Sequence, residues 1–237
     1  VIKKIDDNLW VVEQPFRYFG LSVGNRMTIV RLAGGDVVVI SPINIDGSMV
    51  EQINSIGLVK YIIAPNLYHH LFIKNFQKFY PEAQLWAVAG LEEKRPDLAI
   101  DRLFTEPMGC LEGELEYLYF QGFQTLDLRG FIALKEYVFY ERASRTLILT
   151  DTAFYFDDSF DPVTRLAAKL SGGYQKLRPS QLEKIATRER EAVKQSIQQV
   201  LKWDFDRVIV AHGNIVETGG KEQLKAGYEW FLNTPLD

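Results

Sequence analysis

Four short apolar runs, each cut off by polar residues, constrain this chain most. Val37-Val38-Val39-Ile40 stops at Ser41-Pro42, and Tyr61-Ile62-Ile63-Ala64 stops at Pro65-Asn66. Leu147-Ile148-Leu149-Thr150 stops at Asp151, and Val208-Ile209-Val210-Ala211 stops at His212-Gly213-Asn214. Runs this short and continuous read as strands buried on both faces, which need helices or a second sheet to cover them. Helix signals lie between them: Val50–Ile56 before Gly57, Leu71–Tyr80 before Pro81, and Lys221–Leu232. Ser180 and Glu183 have capping-box spacing, and Leu182, Ile185, Ala186, Val193, Ile197, Val200 and Leu201 then fall largely on one helical face. Met27–Leu32 and Val37–Ile40 flank Ala33-Gly34-Gly35-Asp36, which predicts a hairpin because tight turns need positive φ. Leu85–Ala89, Tyr137–Tyr140, Thr146–Thr150 and Arg207–Ala211 read as further strands, and the stretch 92–112, with Pro96, Pro107 and Gly109, as rich in loops. The hairpins exclude a purely parallel sheet. The expected fold is a mixed α/β sandwich, with residues 1–237 as a single domain.

Composition narrows the function classes. Of 237 residues, 47% are apolar and 24% charged, which excludes a disordered chain. The net charge of −4 argues against a nucleic-acid binder, which needs a basic stripe. No stretch of about 18 uncharged apolar residues exists, so no span, and no membrane partner, is expected. The first residues lack a signal peptide's apolar run, and the missing initiator Met predicts that it, or a longer leader, has been removed. Cys110 is the lone cysteine, which points to a reducing cytoplasm and to a small buried thiol rather than a nucleophile.

All three histidines, His69, His70 and His212, sit just beyond strand ends, as does Asp151. Ligand sites in α/β folds gather beyond the carboxyl ends of strands. Imidazoles and a carboxylate converging there suit zinc, or iron or manganese with water completing the shell. Each residue also has a structural role open to it. His69 can cap the helix near Leu71, His70 can be a core histidine, Asp151 a turn residue, and His212 a brace for the glycine turn.

The order of these features resembles the metallo-β-lactamase fold superfamily. The resemblance rests on the hairpin at Met27–Ile40, the loop Ala64-Pro65-Asn66-Leu67-Tyr68-His69-His70-Leu71-Phe72, Ser144–Asp151, and Ala211-His212-Gly213. Ser41-Pro42 and the Pro-Asn…His-His loop point to a branch with a degenerate metal motif. The resemblance implies an αββα sandwich of two mixed sheets flanked by helices. It also implies a departure at the site. Active members carry His-x-His-x-Asp-His, and aligning His70 with the last histidine puts Pro65 and Leu67 where the first pair should be. The first metal site is then erased. The second survives as His69, His70, Asp151 and His212, with His70 and His212 the firm ligands. Glu141 is the one candidate to replace the missing first-site histidine, and Ser41 stands where a supporting Asp is usual.

Two functional readings follow. One is a hydrolase with one divalent metal, zinc first and iron or manganese as alternatives, in which Asp151 and His69 do the proton work on a small-molecule substrate. An iron oxidoreductase on the same ligands is a variant of it. The other is a metal-free, inactive relative that binds a small ligand or a protein partner on the same face. Ser41, Asn66 and Tyr68, with Phe16 and Tyr18 from the aromatic run Phe16-Arg17-Tyr18-Phe19, are the candidate substrate-binding residues. The abundant aromatics leave room for a homodimer.

Overall fold

The computed structural model describes residues 1–127 and 130–236. Its first half runs β1 (Lys3–Asp6), β2 (Leu9–Gln14), β3 (Arg17–Tyr18), β4 (Leu21–Ser22), β5 (Asn25–Arg31), β6 (Asp36–Ile40), α1 (Gly47–Ile56), β7 (Leu58–Ala64), α2 (Ile73–Phe79), β8 (Gln84–Val88), α3 (Leu91–Lys94) and β9 (Arg102–Phe104). Then follow β10 (Met108–Leu111), β11 (Leu115–Phe120), β12 (Gln124–Asp127), β13 (Gly130–Ala133), β14 (Glu136–Glu141), β15 (Thr146–Ile148), α4 (Pro162–Leu170), α5 (Gln181–Ala186), α6 (Arg190–Val200), β16 (Arg207–Ile209) and α7 (Gly220–Leu232).

A seven-stranded sheet has the order β1-β2-β5-β6-β7-β8-β9, and a five-stranded sheet the order β10-β11-β14-β15-β16. Both are mixed. The first is antiparallel through the β5–β6 hairpin and parallel from β6 to β9. The second turns parallel at β15–β16. Alternation along the second sheet assigns its two faces. Tyr117, Tyr137, Phe139, Ile148 and Ile209 join the core shared with the first sheet. Leu118, Val138, Tyr140, Leu147 and Val208 join the core under α6 and α7. Ile53 of α1 and Ile73 and Phe76 of α2 pack on the first sheet. The result is the helix–sheet–sheet–helix layering expected.

Three expectations need correction. The stretch 92–112 is more than loop, since β9 and β10 extend the two sheets. Cys110 is exposed. The helix after Ser180 is two helices, because Thr187 is captured by the edge of β12. Its hydroxyl accepts from the Gln124 N–H at 3.1 Å, and the Arg188 N–H donates to the Gln124 side chain at 3.0 Å. Gly122 permits this approach: a Cβ there would lie 2.7 Å from the Glu189 carbonyl. The shared apolar face is broken as well. Val193, Ile197 and Val200 are buried, whereas Leu182 and Ile185 are 58% and 65% exposed.

Candidate functional site

The chain's first sheet delivers His69, in the turn after β7. The second sheet delivers Asp151 after β15 and His212 after β16. His69 Nε2 lies 3.2 Å from Asp151 Oδ2, and His212 Nε2 lies 3.5 Å from Asp151 Oδ1. The two imidazole rings are 5.1 Å apart, centroid to centroid. One ligand atom from each of the three residues lies within 4.8 Å of the others, the one such set among the described residues.

The outer ring nitrogens are tied down. His212 Nδ1 lies 2.6 Å from the Gly24 carbonyl. A carbonyl only accepts, so Nδ1 carries the hydrogen and the neutral ring turns a bare Nε2 lone pair toward Asp151. Burial pushes the His212 pKa down, which keeps the ring neutral. His69 Nδ1 lies 2.6 Å from the Ser41 hydroxyl. Ser41 is 2% exposed and sits at φ 56°, a left-handed conformation uncommon for serine. Burial disfavours charge on His69, but the Asp151 carboxylate overcomes it and raises the pKa. Burial likewise opposes charge on Asp151, yet His69, His212 and the Asn66 amide hold its carboxyl down at about 2.

Asp151 is aimed from behind by Glu136, a residue the sequence reading missed. Glu136 has no solvent exposure. Its carboxylate accepts from the Thr150 N–H at 2.9 Å, the Asp151 N–H at 2.8 Å, the Thr152 hydroxyl at 2.8 Å and the Asn66 amide at 3.1 Å. Burial and the Asp151 charge push its pKa up. Every lone-pair position nevertheless already meets a donor, which leaves a carboxyl proton nowhere to go, so the ionised form is the one this pocket fits. The only available signal was its place at the head of the apolar run Tyr137–Tyr140. Arg26 does the matching work behind His212. Its guanidinium is 4% exposed and donates to the Gly213 carbonyl at 2.8 Å, to the Val210 carbonyl, and to Glu13 at 2.7 Å.

The remaining predicted residues divide. His70 is not brought to the cluster. Its Nδ1 lies 2.8 Å from the Arg95 guanidinium. A guanidinium only donates, so Nδ1 is the acceptor and the neutral ring carries its proton on Nε2, leaving no nitrogen for a metal. Burial, with Lys94 and Arg95, lowers its pKa to about 4. Asn66 is fully buried and points inward: its amide donates to Asp151 at 2.8 Å, and its oxygen accepts from the Tyr68 and His69 N–H groups at 2.8 and 2.9 Å. Ser41 is likewise engaged with His69 rather than open to a substrate. Phe16 stacks on His212 with ring centroids 5.9 Å apart. Tyr68 lies under the Lys94 ammonium, 4.6 Å from its ring centroid. Tyr18 points out, 51% exposed, edge-on to Phe19. Glu141 is buried away from the cluster, capping its own turn by accepting from the Ala143 and Ser144 N–H groups at 3.0 and 2.7 Å.

The donor set fits a divalent metal. Two imidazole nitrogens and a carboxylate converge, and each far ring nitrogen is fixed by a hydroxyl or carbonyl, the support that metal-bound histidines use. The His212 lone pair faces a carboxylate oxygen with no proton between them, a contact a cation would turn favourable.

Residues 6–183 match a family described as a domain of unknown function (DUF4336). No curated protein matches the sequence. Among solved structures, the DIM-1 metallo-β-lactamase is similar at TM-score 0.66 and 14% identity, covering 97% of each chain. A metallo-β-lactamase from Pontibacter korlensis gives 0.64 and 15% over 98% of each chain. One from Hirschia baltica gives 0.63 and 11%, over 98% of this chain and 97% of that one.

Proposed function

The chain belongs to the family described as a domain of unknown function (DUF4336) and has the metallo-β-lactamase fold, and from that premise we propose that it is a metal-dependent hydrolase with one metal site, held by His69, Asp151 and His212. The carrying observation is the convergence of these three ligand atoms within 4.8 Å, two of them from one sheet and one from the other. Three protein ligands leave an open position, as catalysis requires, where four would close the site. When bound, a zinc, iron or manganese ion would polarise a substrate oxygen and make bound water acidic. The protein's own groups do the rest. Asp151 offers Oδ2 as a proton acceptor, steadied by the Asn66 amide. His69, whose pKa the Asp151 carboxylate raises, would have to present a bare Nε2 to a metal, so metal binding would compete with protons there. Phe16, stacked on His212, would border a small molecule held at the cluster. The lone cysteine favours a reducing, cytoplasmic setting, and among the described residues no helix is long and apolar enough to cross a membrane.

Element-resolved analysis of the purified protein, before and after reconstitution with zinc, iron and manganese, tests this reading. Near-unit stoichiometry is expected, lost in His212→Ala and Asp151→Asn and kept in His70→Asn. Absence of metal after all three reconstitutions overturns it. Phosphodiester, thioester and lactone panels then seek the substrate, and oxygen uptake by the iron-loaded protein tests the oxidoreductase variant. A metal-free ligand-binding role is the second reading. The 3.2 Å separation of His69 and Asp151 favours it, since this is already an ion-pair distance.

A further inference from the structure

Two consecutive helices are built inside out. In α4, Thr164 and Ala168 face the protein, while Val163, Leu166 and Leu170 are 65%, 57% and 79% exposed. Their spacing of three and four puts them on one helical face. In α5, Glu183 and Ala186 are buried while Leu182 and Ile185 face water. A hydrogen bond from the Gln181 N–H to the Ser171 carbonyl, 3.1 Å, ties the start of α5 to the end of α4. The ribbon β3–β4 continues this surface. Its Ser22 N–H donates to the Thr164 hydroxyl at 3.0 Å, and its tip carries Phe19, 76% exposed.

Cations stand beside the exposed aliphatic side chains. Between residues 162 and 188, Lys169, Lys176 and Arg188 are exposed, while Arg165 pairs with Asp158 and Lys184 donates to the Trp230 carbonyl and the Asn233 side chain; the one carboxylate of this stretch, Glu183, is buried, in a chain that carries −4. The aspartates just before α4 are negative as well, and each has local partners. Asp157 accepts from Ser159 and Asn214, Asp158 from Gln175 and Tyr174 and pairs with Arg165, and Asp161 caps the helix. Arg178 lies buried over Trp230.

We propose that α4, α5 and the tip of the β3–β4 ribbon form a face that binds the surface of an anionic membrane. Aliphatic tips flanked by Lys and Arg, with an aromatic beside them, match what an anionic interface takes up: the apolar groups enter the headgroup boundary and the long cationic stems reach the phosphates. A second copy fits less well, because a twofold contact would set the same cations against each other. The lack of a spanning helix has no bearing on a face that lies on a bilayer. Phe16, at the root of the ribbon, stacks on His212, so the face is continuous with the rim of the site. The proposal does not depend on the metal reading.

Sedimentation of the purified full chain with lipid vesicles tests it. Binding is expected to vesicles of phosphatidylcholine with about a third phosphatidylserine, not to pure phosphatidylcholine, and is expected to weaken with salt. L166S/L170S/I185S is expected to weaken it at least about tenfold, as is K169E/K176E, which also serves if the triple variant fails to fold. His212→Ala should bind vesicles like the wild type, which separates this result from failure of the metal site. The proposal is overturned if the wild type ignores anionic vesicles, or if both sets of substitutions leave binding unchanged. It is also overturned if these variants instead abolish self-association in the ultracentrifuge, or binding to polyglutamate, with no vesicle binding in the wild type.

Discussion

Behind Asp151, a carboxylate with no solvent exposure accepts four hydrogen bonds, while on α4 and α5, leucines and an isoleucine face water and a glutamate lies inside. The two regions flank one cluster of ligand-capable side chains. The first breaks the usual burial rule and compensates for it locally, every buried polar atom of Glu136 and Asn66 having a partner. The second breaks the rule and carries no compensation within the described residues. A buried charge with a full set of partners signals a position being held. An exposed aliphatic face signals a surface whose partner is not the protein itself.

Substitutions of similar size should therefore have opposite outcomes in the two regions. The largest effect is expected for Glu136→Gln, whose amide would turn its NH2 group toward N–H donors; a loss on the order of 3 kcal/mol in urea unfolding is expected. A metal titration of the same variant should show affinity falling about 10–100-fold. Stability unchanged within error would break the comparison. Arg26→Met comes next, at about 2–3 kcal/mol, because it strands the Val210 and Gly213 carbonyls and the His212 turn they hold.

His70 gives a smaller, pH-dependent effect. Its pKa is lowered in the folded state from 6.5 to about 4, so the unfolded chain takes up the proton first. Its contribution is fully present above pH 6.5 and is lost as pH falls through 4, by on the order of 2–3 kcal/mol. Thermal melts of metal-free protein across that window should show the slope, and His70→Asn should reduce it, with His212, whose pKa is also lowered, contributing in the same direction. At the low end, L166S/L170S/I185S should change unfolding free energy by less than about 0.5 kcal/mol. A loss of several kcal/mol would mean that those side chains are packed after all.

The architecture was legible because it rests on local patterns. The Gly34-Gly35 hairpin, the Ser180/Glu183 capping box and the strand ends each follow from a few adjacent residues, and all three are present. At the site, His69, Asp151 and His212 were legible as polar residues at strand tips. His70 misled because adjacent histidines look alike in sequence, and only Arg95, from another element, decides which nitrogen keeps its proton. Glu136 was missed because a glutamate at a strand end reads as a boundary; its four donors come from residues 66 and 150 to 152. The helix after Ser180 misled in the same way. Leu182 and Ile185 have the spacing of a core stripe, and the capture of Thr187 by Gln124 turns them outward.

Because His69 comes from one sheet and Asp151 and His212 from the other, neither sheet alone carries the whole cluster. An ion there would bridge the sandwich and act as a rivet between its layers. At a free concentration one hundred times its Kd it would add about 2.7 kcal/mol against their separation, so chelation should loosen the docking of the two halves before it disturbs either sheet alone.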